Sequence, residues 1–341
     1  MPEPATQPQP VSLLQPRALP GIALASAVAL ACMWAAPHLG AVSPLLVAIV
    51  AGVALRNLLP VPVALQPGLA VAARTMLRAG VVLLGLQLSL PGLLKLGAGV
   101  LVIVALAVGG TFAVTTLLGR WLGVDRELTH LIAAGFSICG AAAVAGMQGV
   151  VRASQEKVAT AVAMVVLFGT TMIPLSVAVV TALDLGAGSG GTFIGGATHE
   201  VAQVVAAAGI AGGEAMLAIA VPIKLARVVL LAPMIALTSL EQRRSQAATP
   251  GGKRPPLVPL FVVGFVAAIA LATTGWLPPT ALQYAKQAQL FLLAAAMFAL
   301  GMGVHIRSLI KLGWKPVVLS LLATATIIAI VAAGIWAGLG A

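Results

Sequence analysis

The sequence predicts an all-α membrane protein of about nine to eleven transmembrane segments, with inverted repeats and two interrupted or re-entrant helices. Three observations carry this expectation. Apolar residues make up 60% of the 341 and charged ones only 8%, against roughly a quarter charged in soluble domains, so the apolar side chains exceed what one aqueous core could bury. Apolar runs of roughly 17 to 25 residues, the length that crosses a bilayer as helix, recur along the whole chain. Aromatic residues are few, at 4%, while glycine numbers 37, which suits closely packed helices and not the aromatic-girdled strands of a barrel.

Taken in order, residues 1–17 (MPEPATQPQPVSLLQPR) are rich in Pro and Gln and lack the basic start of a cleaved signal, so they read as a disordered tail before a retained first span. An N-terminal transmembrane half, 18–182, then holds segments near 18–36, 43–59, 68–90, 96–118, 127–149 and 156–182. The C-terminal half, 183–341, holds 190–210, 214–240, 257–275, 282–303 and 316–338. Its one long polar connection, 241–256 (EQRRSQAATPGGKRPP), ends in two prolines that delay the next helix to Leu257. Segments 127–149 and 190–210 are poor continuous spans, because GFSICGAAAVAG from Gly135 and GGATHEVAQ from Gly195 put small and polar residues at their centres.

The net charge of +11 comes from Lys and Arg placed singly or in pairs between apolar runs, a topological pattern and not a nucleic-acid surface. With a cytoplasmic N-terminus, Arg17, Arg56, Arg74, Arg78, Arg120, Arg126, Arg243, Arg244, Lys253, Arg254, Arg307, Lys311 and Lys315 all fall inside, as the positive-inside rule asks. If the two interrupted segments are hairpins, Arg152 and Lys157 join them and only Lys95 and Lys286 lie outside. Both cysteines, Cys32 and Cys139, lie in apolar runs and match no metal spacing, so neither a metal nor a cofactor is expected. LGLQLSLPGLLKLG (84–97) aligns without gaps with LGMGVHIRSLIKLG (300–313), and the helices leading into the two run in opposite directions, as inverted repeats require. A looser match pairs GAAAVA (140–145) with ATHEVA (197–202).

Ionisable groups far from the ends of apolar segments usually face a cavity or a partner, since insertion at the bilayer centre costs about 2.5–3.5 kcal/mol. Thr198, His199, Glu200 and Gln203 gather a hydroxyl, an imidazole, an acid and an amide within two turns, which suits a substrate or proton site; the plainer alternative is a self-satisfied helix break in which Glu200 caps free amides. Lys224 and Arg227 share one face deep in an apolar helix, where they pair with Glu200 or Glu214, form an anion site, or do both in turn as an arriving anion replaces the carboxylate. Ser137, Cys139 and Gly140 lie where glycines let the backbone leave the helix and offer N–H groups to a ligand, or simply allow close packing.

G-F-S-I-C-G at 135–140, T-H-E-V-A-Q-V-V-A-A-A-G at 198–209 and V-P-I-K-L-A-R-V at 221–228 resemble the sulfate exporter family of bacterial inner-membrane proteins, from Leu19 to the C-terminus. The resemblance extends to the superfamily of cation-proton antiporters and anion transporters, and it implies substrate binding where two interrupted helices meet at mid-membrane, a bacterial inner-membrane location and a homodimer. It also implies sulfate, or a related sulfur oxyanion or sulfonate, as the exported substrate. The acidic residue of the antiporters' G-L-x-L-D-L helix ends is replaced here by Ser89 and His305.

The leading expectation is therefore a secondary transporter of a small anion working by alternating access. Lys224 and Arg227 attract the anion, amides around Ser137, Cys139, Gly140 and Thr198 fix it with Gln203 nearby, and His199 with Glu200 carries a coupling proton. The alternatives are a sodium-proton antiporter using Glu200, and an intramembrane enzyme with Cys139 as nucleophile and His199 as base.

Overall fold

In a computed structural model, the described residues are 16–39, 44–88, 90–246, 260–303 and 313–340, and every regular element among them is helical. Most of the 1–17 tail, the 247–256 part of the polar loop, Ser89, and the 304–312 part of the second repeat copy, with His305, Arg307 and Lys311, lie outside the described residues.

The first layer comprises α1 (Leu19–Ala35), α2 (Pro44–Leu58), α3 (Gln66–Val71), α4 (Leu77–Gly85), α13 (Leu260–Thr273) and α14 (Pro279–Gly301). A π-helical turn, Ala72–Met76, joins α3 to α4. Helix α14 packs against α1, α2 and α4, and α13 against α4. The second layer comprises α6 (Ala98–Trp121), α7 (Arg126–Ser137), α8 (Ala141–Val151), α9 (Gln155–Ala182), α10 (Ala187–Ala197), α11 (Val201–Val229) and α15 (Lys315–Trp336). A short helix α5 (Leu90–Leu94) precedes α6, and α12 (Leu231–Gln246) continues the line of α11 and packs on α8. Among the described residues six stretches are long and apolar enough to cross a membrane: Pro16–Ala35, Val63–Gly85, Ala98–Trp121, Glu156–Ala182, Val201–Gln242 and Lys315–Trp336. Val47–Leu58 in α2, Ala141–Val151 and Leu260–Thr273 are shorter apolar helices.

Both segments expected to be interrupted are hairpins. Helix α7 stops at Ser137, the chain turns through Ile138–Gly140, and α8 returns with Val144 against Gly135. The return is fixed by ion pairs at the base, where Lys157 Nζ, two residues into α9, lies 2.8 Å from Asp125 Oδ1 and 3.0 Å from Glu127 Oε2. The starts of α7 and α9 therefore share one end of the bundle. Helix α9, at 28 residues, rises about 1.5 Å per residue and reaches the opposite end, from which α10 enters. Helix α10 stops at Ala197, the chain turns through 198–200, and the first half of α11 runs back out to Gly213. At φ 60° and ψ −143°, Gly213 breaks α11, a conformation that glycine adopts without a Cβ clash. The second half then re-enters beside α10, with Met216 against Gly190 and Ile223 against Gly195. Thus the segment expected to be interrupted, 190–210, comprises α10 and the first half of α11, whereas 214–240, expected to be one helix, is divided at Leu230 between α11 and α12.

The N-terminus of α7 is held locally. Asp125 accepts hydrogen bonds from the Glu127 and Leu128 amides at 3.0 and 3.2 Å, satisfying donors that a helix start leaves open. Burial alone would raise the Asp125 carboxyl, but the Lys157 ammonium and these two amides together hold it below its usual range. A carboxylate depressed in this way stabilises the fold above its unfolded pKa, and the contribution fades as pH falls through the folded value. Asp125→Ala should lower the thermal stability of the detergent-solubilised protein by about 1 kcal/mol. The cap and the exposed ion pair with Lys157 are lost together in this variant.

Candidate functional site

The two hairpins enter from opposite ends and their tips meet. Each tip brings together the C-terminus of one short helix and the N-terminus of the next, so unsatisfied carbonyls and unsatisfied amides lie within a few residues of each other.

The carbonyls are taken by Lys224 and Arg227, both with no exposed surface. Lys224 Nζ donates to Ile138 O at 2.9 Å in the first tip and to Thr198 O at 2.8 Å in the second. The Arg227 guanidinium donates to Phe136 O (3.2 Å) and Ser137 O (2.8 Å) at the end of α7. At the end of α10 it donates to Gly195 O (3.3 Å), Gly196 O (2.8 Å) and Thr198 O (2.7 Å). Two buried cations thus bolt the negative ends of two half-helices together. Among the described residues neither forms an ion pair with Glu200 or with Glu214, the latter being exposed at the start of the second half of α11.

The amides face the other way. Glu200 Oε1 accepts the Ala141 N–H at 3.1 Å, at the start of α8, and Gln203 Oε1 accepts the Glu200 N–H at 3.0 Å, at the start of α11. The carboxylate therefore sits where two helix N-termini converge. Gly140 makes room for it: at φ 77° a Cβ there would overlap Glu200 Cγ.

Glu200 and Cys139 line a cavity of about 560 Å³ between the two layers. The opposite wall is α14, from Lys286 through Gln289 and Leu293 to Met297, with Leu84 of α4 and Gln87 in the turn after α4 beside it. Gly80 lies against Leu293, and the two helices run antiparallel. Seven residues on, at about 1.5 Å each, Gln87 stands level with Lys286.

The expected site residues separate accordingly. Glu200 and Cys139 face the cavity, with Ala142. Lys224 and Arg227 underlie it, bound to carbonyls and not offered to a ligand. Ser137 contributes its carbonyl to Arg227 while its hydroxyl bonds Ala133 O at 2.6 Å, and Thr198 contributes its carbonyl to both cations. His199 turns away from the cavity, with Nε2 3.1 Å from Thr324 Oγ1 on α15 and its ring 4.6 Å from that of Phe136. Because Thr324 Oγ1 donates to Ser320 O at 3.0 Å, it accepts from His199, which places the imidazole proton on Nε2. Gln203 packs over Gly169. Gln87 falls within the first repeat copy, and Lys286 and Gln289 lie in the polar start of α14; no motif marks these three as site residues.

Fold and site define an all-helical, multi-pass membrane protein whose cavity ends on two opposed hairpin tips. The chain belongs to the family described as Conserved hypothetical protein 698, whose model matches residues 20–320. It is 47% identical over 316 residues to a UPF0324 membrane protein of Corynebacterium glutamicum, covering 92% of this chain and 91% of that one. A UPF0324 membrane protein of Pseudomonas aeruginosa is 39% identical over 292 residues, 82% of each chain. The UPF0324 inner membrane protein YeiH of Escherichia coli K12 is 34% identical over 319 residues, 91% of each chain. No solved structure matches the chain.

Proposed function

We propose that this protein is a secondary transporter of a small anion, with the site at the hairpin tips and Glu200 as its proton-coupling group. The carrying observation is the charge assembled there. Counted as ionised, Lys224 and Arg227 supply two positive charges and Glu200 one negative. The two helix C-termini and two N-termini contribute about −0.5 and +0.5 each and roughly cancel, leaving a net charge of about +1 beside the cavity. In this reading Glu200 is a tethered stand-in for the substrate: it occupies paired helix N-termini, a ready anion site. An arriving anion displaces it, and the freed carboxylate takes up a proton because it has lost its amide partner. Lys224 and Arg227 act through the field they create and by holding the tips together.

Nine spans then surround the hairpins: α1, α2, α3–α4, α6, α9, the second half of α11 with α12, α13, α14 and α15. The described basic residues Arg17, Arg56, Arg74, Arg78, Arg120, Arg126, Arg152, Lys157 and Lys315 gather at one end, which the positive-inside rule assigns to the cytoplasm, with the N-terminus there. The antiparallel course of α4 and α14, which end on Gly85 and Gly301, supports an inverted relation between the two halves, and the layers rocking about the cavity provide alternating access.

The test is uptake by reconstituted liposomes of sulfate, sulfite, thiosulfate, taurine and chloride at several pH values. One anion should give saturable uptake, reduced about a hundredfold or more in Lys224→Met, because misplacing the tips by even 1 Å is costly to function. Gly140→Ala should lower the same uptake about a hundredfold by pushing Glu200 off the Ala141 amide. The cavity-facing carboxylate also favours one second reading, a sodium-proton antiporter. Silence for every anion, together with sodium-dependent proton flux lost in Glu200→Gln, would establish that reading in place of the first.

A further inference from the structure

The cavity is larger and more apolar than a bare oxyanion requires. Along α14 the lining positions 286, 289, 293 and 297 follow one helix face over about 16 Å, at 1.5 Å per residue. Lys286 is exposed at one end, Gln289 is 8% exposed one turn in, and Leu293 and Met297 are buried at the other end. Leu225, from the second half of α11, faces the same space, as do Leu84 and Val205. The volume of about 560 Å³ falls within the roughly 300–1,000 Å³ of pockets that enclose organic ligands. A five-atom tetrahedral dianion would touch few of these walls, and its hydration would be replaced mostly by side chains that offer no hydrogen bond. Polar groups are confined to two places: the Glu200–Ala141 junction on one wall, and Gln87, Lys286 and Gln289 on the other. Gln87 Nε2 is buried there without a hydrogen-bond partner among the described residues, a donor available to a ligand.

Building on the anion reading above, we infer that the substrate class is an organic monoanion with an apolar body, its head held between the Glu200–Ala141 junction and the Gln87–Lys286–Gln289 wall and its body lying against Leu225, Leu293 and Met297. Lys286 and the two amides are then selectivity residues on the scaffold layer.

Cys139 gives a readout on the site itself. In a Cys32→Ala background it is the sole thiol in the chain, and a bound substrate should shield it from a small alkylating reagent. The probes are linear alkanesulfonates from methane- to pentanesulfonate, inorganic sulfate, and alkyltrimethylammonium ions of equal chain length, applied to the full chain in liposomes. The concentration that halves the alkylation rate should fall about fourfold per added methylene, the fold-change equivalent to about 0.8 kcal/mol for each CH₂ buried. Sulfate and the ammonium ions should not protect. Leu293→Ser should flatten the chain-length series while leaving methanesulfonate unchanged, and Gln87→Leu should weaken the whole series equally. Sulfate protecting as well as pentanesulfonate, or a flat series in the wild type, would overturn the apolar-body inference and leave the anion reading standing. Equal protection by the ammonium series would overturn both, because the cavity would then select for apolar bulk alone.

Discussion

Replacing Arg227 by Met is expected to lower the stability of the solubilised protein by about 3–5 kcal/mol, the range found when one member of a buried charged set is removed. Arg227 serves carbonyls of five residues, Phe136, Ser137, Gly195, Gly196 and Thr198, split between two helix C-termini that enter from opposite ends. Met has similar length but offers no donor, so those carbonyls would be left buried and mutually repulsive. Each hydrogen bond to a charged group contributes about 1.5–3 kcal/mol. Because the contacts act as one unit their sum overstates the loss, and several kcal/mol is still a large share of a total near 5–15. Arg227→Lys should fall between: the charge remains, but a single ammonium lacks the planar fork that reaches both tips. The comparison is read from thermal unfolding midpoints and from the yield of folded protein. A Met variant as stable as the wild type would show that the tips are held by their flanking helices and that Arg227 is dispensable to the fold.

The same contacts explain what the sequence does and does not reveal. That Lys224 and Arg227 lie buried on one face follows from their i, i+3 spacing in an apolar run. That they meet carbonyls could not be read, since backbone acceptors carry no residue identity. The breaks at GFSICG and GATHE are visible as glycines and polar residues in otherwise apolar segments, but the register between them is not. The alignment of GAAAVA with ATHEVA pairs positions 57 apart, whereas α7 and α10 end at Ser137 and Ala197 and α8 and α11 begin at Ala141 and Val201, 60 apart in both cases. Three residues is nearly one helical turn, and runs of Ala and Val do not distinguish the two alignments. His199 and Glu200 adjoin in sequence, yet extended backbone at Glu200 (φ −120°, ψ 152°) sends the neighbouring side chains to opposite sides. One meets Thr324 and the other the cavity. A motif that reads as a single polar cluster is thus a packing contact beside a site residue. The hairpin form brings Lys157 to Asp125 across 32 residues, a pairing that charge counting favours only through the side on which Arg152 and Lys157 fall.

Glu200→Gln is expected to leave the fold intact and remove proton coupling. Glutamine keeps the shape and retains an oxygen able to accept the Ala141 N–H, so stability should change by about 1 kcal/mol or less, the worth of an ordinary hydrogen bond. What it lacks is a proton to exchange. In the proposed mechanism each anion that displaces the carboxylate carries one proton with it, so a pH difference of one unit across the membrane should support up to about tenfold accumulation of a monoanion, the equivalent of 1.36 kcal/mol. In the variant the substrate still meets two helix N-termini above two buried cations, so it binds and crosses, but its distribution no longer follows the pH difference. The measurement is accumulation of the anion in liposomes with an imposed pH gradient, alongside exchange at equal pH. Exchange should persist at a rate independent of pH while gradient-driven accumulation disappears. Accumulation that survives in Glu200→Gln would place the coupling proton elsewhere. His199 would then be the next group to replace, since it is the other titratable side chain at the second tip. Loss of both exchange and accumulation would instead mean that the carboxylate itself takes part in holding the transported ion, the outcome that a cation substrate requires.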